Sequence, residues 1–168
     1  MRRKNRNKAN RGKELERLID YQNKMYDTKG VAYIRKVPTN VRILRTHRNG
    51  TLSGHLMAGE FCDYVGVYKG RAIEFDAKQT KGKSLPFSNV RENQEAALKK
   101  VHELGGRAFL IVRFTELGRY FRLNWEDYEY IKKNTKRKSL SLKHFEEYAH
   151  EIKEGANGEV LDYLEGGG

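Results

Sequence analysis

Between residues 11 and 27 the apolar positions recur at helical spacing, with Leu15, Leu18, Ile19, Gln22, Met25 and Tyr26 on one side. That period predicts an amphipathic helix with Gly30 as its stop. The period then drops to two. Residues 31–37 read as a strand closed by Pro38, and residues 41–47 as a second extended piece ahead of the turn signal Asn49-Gly50. Together, residues 35–60 predict a basic β-hairpin or projecting loop. Two strands follow over about 61–68 and 71–79, joined at Lys69-Gly70. A helix over about 88–104 presents Val90, Gln94, Ala97, Leu98 and Val101 on one face and stops at Gly105-Gly106. Strands over 107–114 and 119–125, with Gly118 in the turn, and helices over 126–134 and 141–153 complete the pattern. The order α-β-β-β-α-β-β-α predicts an α/β fold, a mixed central sheet flanked by helices.

Composition narrows the picture. A chain of 168 residues suits one domain, and burying roughly two thirds of its unfolded surface makes a disulfide or structural metal unnecessary for folding. Cys62 is the only cysteine, which excludes an intramolecular disulfide and fits a reducing compartment. The longest apolar run, 108–112, is too short to span a bilayer, and no apolar stretch follows the basic N-terminus as in a secretory signal. The expectation is a cytoplasmic protein with no membrane partner.

Charge points to a partner. The formal net charge is +12, unevenly placed. Residues 1–13 hold seven Lys/Arg and no acid; residues 28–59 hold six (Lys29, Arg35, Lys36, Arg42, Arg45, Arg48) and no acid. From His144 onward seven acids face one lysine, Lys153. Long acid-free basic stretches are the footprint of a polyanion, nucleic acid first, with a merely basic or ribosome-associated protein as the alternative. Residues 1–10 read as a flexible basic arm, and 11–168 as a single domain carrying an insertion at about 38–60.

The informative chemistry lies between Asp63 and Lys78. In the second strand of that hairpin, Ile73, Phe75 and Ala77 share one face and Glu74, Asp76 and Lys78 the other. A two-residue turn at Lys69-Gly70 sets Tyr68 opposite Arg71 and, counting back, Asp63 opposite Asp76, provided that Gly66 forms no bulge. Opposed Cβ atoms lie about 4.5–5.5 Å apart, and two facing carboxylates repel. A hard divalent cation such as Mg²⁺ resolves that repulsion. Lys78 is placed to hold an attacking water or developing negative charge. Strand geometry alone leaves the other reading open, a solvated mixed-charge face in which Lys78 merely pairs Asp76. Glu16 on the first helix is either a third oxygen donor or a surface glutamate. Gln94 is either a satisfied core amide or a group aimed at water or phosphate.

These residues resemble a known family. An Asp followed by Asp-x-Lys on a hairpin, in α-β-β-β-α-β order, is similar to the PD-(D/E)xK nucleases. More narrowly, the chain resembles the RecU-type Holliday junction resolvases of Gram-positive bacteria and their phages. The likeness runs through Asn10-Arg-Gly-Lys-Glu-Leu-Glu16, Lys36-Val-Pro-Thr39, Asp63-Tyr-Val-Gly-Val-Tyr-Lys-Gly70, Phe75-Asp-Ala-Lys-Gln-Thr80, Ala108-Phe-Leu-Ile-Val-Arg-Phe114 and Arg137-Lys-Ser139. It implies a restriction-endonuclease-like αβββαβ core with a protruding basic stalk at about 38–60. It also implies a catalytic set of Asp63, Asp76, Lys78 and Gln94, and a metal site of Glu16, Asp63 and Asp76 taking Mg²⁺ or, in its place, Mn²⁺. The expected DNA contacts are Arg11, Lys13, Lys36, Arg42, Arg45, Arg48, Lys81 and Lys83. The implied partners are four-way junction DNA and a second copy of the chain in a homodimer. One departure is Asp76, a position that is usually Glu in RecU-like enzymes; a second is the stalk, which differs from the bacterial pattern.

The five histidines show no zinc-like spacing with each other or with Cys62. Trp125 reads as core, and Tyr64 and Tyr68 as packing residues rather than base-stacking ones. Two other readings compete: a metal-dependent nuclease of different DNA preference, and a non-catalytic DNA-binding module.

Overall fold

A six-stranded mixed sheet organises the computed structural model, which describes residues 6–57, 61–153 and 160–164, with residues 6–12 and 56 described by backbone only. Helix α1 (Arg6–Thr28) leads into β1 (Ala32–Lys36), and β2 (Val41–Thr46) and β3 (Leu52–Leu56) form a separate two-stranded hairpin. The chain returns to the sheet as β4 (Tyr64–Tyr68) and β5 (Arg71–Thr80), then crosses through the short β6 (Ser84–Pro86) and α2 (Glu92–Glu103) to β7 (Arg107–Phe114). β8 (Arg119–Asn124), α3 (Trp125–Asn134), β9 (Ser139–Ser141), α4 (Leu142–Tyr148) and β10 (His150–Ile152) follow. The sheet order is β1-β4-β5-β7-β8-β10, parallel only between β5 and β7, while β6 and β9 pair apart. Without the β2–β3 insertion and the short β6, which pairs apart, α1 to β7 read α-β-β-β-α-β, the expected core.

Alternation along the central strands builds a core on each face. On one face α1 packs Leu15, Ile19 and Tyr26 against Ile73, Phe75, Phe109 and Ile111, and residues Leu161, Tyr163 and Leu164 complete the layer. On the other face α2, α3 and α4 cover Leu110, Val112, Phe114, Phe121 and Leu123, with Trp125 and Tyr128 in the same cluster. β7 is buried on both faces, and its unbroken apolar run is the pattern of a strand inside a parallel pair. Tyr64 and Tyr68 are buried, as read from sequence.

The β4–β5 turn fixes the register that matters. Lys69 and Gly70 both have positive φ, 49° and 74°, the signature of a type I′ turn whose twist suits a two-residue hairpin. Tyr68 pairs with Arg71 and Tyr64 with Phe75, with no bulge between them. Gly66 is where β1 comes close, since a Cβ there would lie 2.2 Å from the Tyr33 carbonyl oxygen.

Three expectations change. The first helix begins at Arg6 rather than near residue 11, and residues 1–5 lie outside the described residues. α2 begins only at Glu92, after a 3-10 turn at Phe87–Asn89, because Arg91 is the N-cap and the Gln94 side chain accepts from its backbone amide. The predicted helix over 141–153 ends at Tyr148. Its continuation becomes β10, which closes the open edge of β8 and buries Ile152 against the α1 layer, so tertiary pairing overrides helical pattern. Among the described residues no helix is long and apolar enough to cross a membrane.

Candidate active site

The topology brings the polar residues to one end of the sheet. β1 and β5 both run antiparallel to β4, so the end of β1 and the start of β4 lie beside Phe75 and the second half of β5. The β2–β3 hairpin is inserted there, between Lys36 and Asp63. Its root is closed by the Met57 amide donating to the Asn40 carbonyl at 2.8 Å.

Asp63 sits one residue before the β4 ladder begins and faces Asp76, as the turn register predicts. Its amide donates to Asp76 Oδ1 at 3.3 Å, and its own Oδ2 accepts from the Ala77 amide at 3.2 Å. Asp76 is fully buried. Its Oδ1 also accepts from Gln94 Nε2 at 2.6 Å, while its Oδ2 lies 2.5 Å from Lys78 Nζ as an ion pair without a well-aligned hydrogen bond. Lys78 Nζ donates to Gln94 Oε1 at 3.1 Å. Gln94 thus joins three groups at once, Asp76, Lys78 and the start of α2. The buried amide is satisfied, and satisfied by these residues in particular.

Electrostatics mark Asp76. Burial pushes its carboxyl up to about 6; the Lys78 ammonium opposes this and the Asp63 carboxylate adds to it. The fold therefore disfavours the charge even with Lys78 in place. A carboxyl raised above its usual value of 3.8 adds a cost as pH rises from about 4 to about 6, where the native state still holds a proton that the unfolded chain has released. Asp76→Asn should remove that slope, so that without added metal the variant loses less stability than the wild type between pH 5 and pH 8. Thermal or urea unfolding in EDTA at pH 5 and pH 8 checks this; equal loss of stability with pH in both proteins would contradict it.

These features fit a hard cation. Two carboxylates face each other, and one carries a buried oxygen with lone pairs to spare, which matches the oxygen donors that Mg²⁺ or Mn²⁺ prefers alongside waters and phosphate. Glu16 is not gathered with them. Its carboxylate is 2.5 Å from Lys36 Nζ, and among the described residues no three His, Cys, Asp or Glu side chains converge as a ready ligand set.

The expected DNA contacts mostly surround this end. Arg42, Arg45 and Arg48 are exposed on the hairpin, as are Lys13 on α1 and Lys36 beside Glu16. Lys81 and Lys83 are exposed just beyond β5, with Lys81 in a loose surface pair with Glu116 at 3.5 Å. The side chain of Arg11 lies outside the described residues. Every described residue of the hairpin is exposed, including Val41, Ile43, Leu44 and Leu52, in keeping with the projecting basic hairpin expected over 35–60. Sequence reasoning gave no role to Glu74, although its face was correctly assigned. It is buried, and its Oε1 accepts from the Cys62 amide at 2.8 Å. The buried Cys62 thiol is pushed up by burial and by the Asp76, Glu74 and Asp63 carboxylates.

With this geometry in view, the comparisons with known proteins are specific. The family described as Recombination protein U (RecU) matches residues 10–166. Proteins named Holliday junction resolvase RecU are 34% identical to this chain in Pediococcus pentosaceus, over 92% of this chain and 81% of the relative, and 34% identical in a Geobacillus species, over 94% and 83%. Among solved structures, the Holliday junction resolvase Hjc of Archaeoglobus fulgidus shares 9% identity at a TM-score of 0.47, covering 77% of this chain and 93% of that one. A match that runs from the first helix to the C-terminal segment, with 34% identity to curated members, places this chain in the RecU family.

Proposed function

We propose that this chain is a cytoplasmic, divalent-metal-dependent endonuclease that resolves four-way DNA junctions by paired hydrolysis of phosphodiester bonds. The observation that carries the reading is the cluster of Asp63, Asp76, Lys78 and Gln94 at the root of an exposed basic hairpin, in a RecU-family chain. Asp63 and Asp76 would hold Mg²⁺, with Mn²⁺ able to replace it. A bound cation there supplies a Lewis acid for the scissile phosphate and lowers the pKa of a water. The remaining work belongs to the chain. Asp76, once its charge is offset, leaves the Lys78 ammonium available to the attacking water or the developing phosphorane charge. Gln94, held by the start of α2, fixes the orientation of both. Glu16, now against Lys36, would be available as a further oxygen donor if a DNA phosphate took Lys36 in its place.

Lys13, Lys36, Lys81, Lys83 and Arg11 would track phosphates beside the site, and Arg42, Arg45 and Arg48 would carry the hairpin into the junction. A junction has pseudo-two-fold symmetry, so we propose an isologous homodimer that presents two such sites to opposed strands. The test uses synthetic four-way junction and plain duplex with Mg²⁺, Mn²⁺ or EDTA. The expected result is metal-dependent cutting of the junction at symmetric positions, with the two nicks coupled in time. Cutting of plain duplex at the same rate would select a general nuclease, and binding without cutting a DNA-binding module.

Lys78 separates chemistry from anchoring. Lys78→Ala should lower the single-turnover rate by roughly a hundredfold or more while changing junction affinity little. Parallel cleavage and band-shift titrations measure both; equal losses would make Lys78 a phosphate anchor instead.

A further inference from the structure

The segment that delivers Asp63 is not held by the β4–β5 ladder. β4 pairs with β5 only from Tyr64 onward, yet the amides of Cys62 and Asp63 are both taken up by side chains of β5. Asp63 N donates to Asp76 Oδ1 at 3.3 Å, a long bond, whereas Cys62 N donates to Glu74 Oε1 at 2.8 Å. On the other side, the Asp63 carbonyl accepts from the Val37 amide at 2.8 Å. Val37 and Phe61 are the two points where the chain leaves for the hairpin and returns from it. Glu74 therefore ties the returning arm of the hairpin to β5 immediately before Asp63.

Glu74 is only 5% exposed, on a face that also carries Asp76 and near Asp63. A third carboxylate in such a place adds repulsion, so its retention needs a reason. The Cys62 amide supplies one, because a buried backbone donor left without an acceptor is costly. Resting on the nuclease reading above, we infer that Glu74 is a positioning residue: it holds the Cys62 peptide so that the Asp63 carboxylate faces Asp76 at the spacing a divalent cation requires. It acts on the metal through the backbone of a ligand and does not touch the metal, which is the way outer groups tune metal affinity.

The geometry separates reach from charge. Glu74→Gln removes the charge and keeps the acceptor oxygen at the same reach. Glu74→Asp keeps the charge and withdraws the oxygen by one methylene. Glu74→Ala removes both. Positioning predicts that the Gln variant binds Mn²⁺ within about threefold of wild type, and that the Asp and Ala variants lose roughly tenfold to a hundredfold. The measurement is Mn²⁺ binding by calorimetry on the full chain without DNA, with the exchange rate of the Cys62 amide followed by NMR. The Cys62 amide should exchange faster in the Asp and Ala variants and stay protected in the Gln variant. Thermal melts identify any variant that fails to fold, and the Gln and Asp pair decides the matter if Ala does not fold. Gln as weak as Ala would make Glu74 a ligand or a source of field. Asp and Ala as tight as wild type, with the amide still protected, would make it a bystander. Either outcome overturns the inference. Failure of the wild type itself to bind Mn²⁺ and to cut junctions would instead overturn the nuclease reading on which it rests.

Discussion

Asp63→Asn and Asp76→Asn are each expected to reduce junction cleavage by roughly three orders of magnitude or more, the scale of loss when one member of a catalytic unit is removed, while junction binding persists or tightens. The direction follows from charge. Asparagine keeps the shape of either side chain and, at position 76, an acceptor oxygen for Gln94 Nε2, now 2.6 Å from Asp76 Oδ1, while its amide NH2 takes the place of the oxygen that pairs with Lys78; thermal melts of both variants check that they fold. What disappears is half of the facing pair of negative charges that makes a divalent cation favourable there. Either substitution removes a negative charge from the site proposed to take the scissile phosphate, which favours DNA binding rather than opposing it. Cleavage time courses and band shifts on one synthetic junction, with Mg²⁺ for the first and EDTA for the second, measure the two effects separately. The weaker pH dependence of stability expected for Asp76→Asn in EDTA sharpens the combination: a folded protein that binds and does not cut. Near-normal cutting by both variants would remove Asp63 and Asp76 from the chemistry.

The facing of Asp63 and Asp76 was readable in the sequence because one local device sets it. Lys69-Gly70 adopts the two-residue turn that its residue types favour, and the register then counts back without interruption to Tyr64 opposite Phe75. The face shared by Asp76 and Lys78 follows from period two alone. Gln94 was readable as a misplaced amide on an apolar helix face, but its triple bonding was not, since it depends on where α2 starts relative to β5. The start of α2 at Glu92 rather than 88 is set by Arg91 and Gln94 closing the helix end on each other. Glu16 shows the limit of spacing arguments. Four residues past Gly12 on a helix, it is near the site end, yet its carboxylate lies against Lys36, a residue whose closeness only the sheet edge creates. The pairings β6–β9 and β8–β10 depend on β6, β9 and β10, strands of three residues each, too short to leave a periodic signal. The C-terminal residues were unreadable for a different reason. Gln22 Oε1 accepts from the amides of Val160 and Leu161, and the guanidinium of Arg122 donates to the Tyr163 carbonyl at 2.7 Å. Polar residues far apart in the chain anchor that segment, and no local pattern announces it.

Replacing Arg45 and Arg48 with alanine together should weaken junction binding roughly tenfold to a hundredfold and duplex binding much less. The hairpin makes this expectation specific. Among the described residues its strands pair only with each other, with a register irregularity between Ile43 and Arg45, and every described position from Val41 to His55 is exposed. Its own fold is secured locally: Asn49 Oδ1 accepts from the Thr51 amide at 3.1 Å and from the Thr51 hydroxyl at 2.7 Å, and the His47 ring bonds the Ser53 hydroxyl at 2.7 Å. Removing two arginines therefore takes away charge without taking away a core, and the variant should melt as the wild type does. Between Thr28 and Met57 no acidic residue offsets the hairpin's cations. A projecting cationic element finds little to fill on a duplex, but at a four-way junction it meets phosphates from four strands converging on an open centre. The loss should thus depend on structure rather than sequence. The salt dependence supplies the second signature, because each duplex phosphate contact removed flattens the slope of log affinity against log salt by about 0.9. Titrations of junction and duplex at several salt concentrations, on the folded variant, give both quantities at once. A uniform loss on the two substrates would reduce the hairpin to a general phosphate contact, and no loss on either would leave junction selectivity to the body of the sheet.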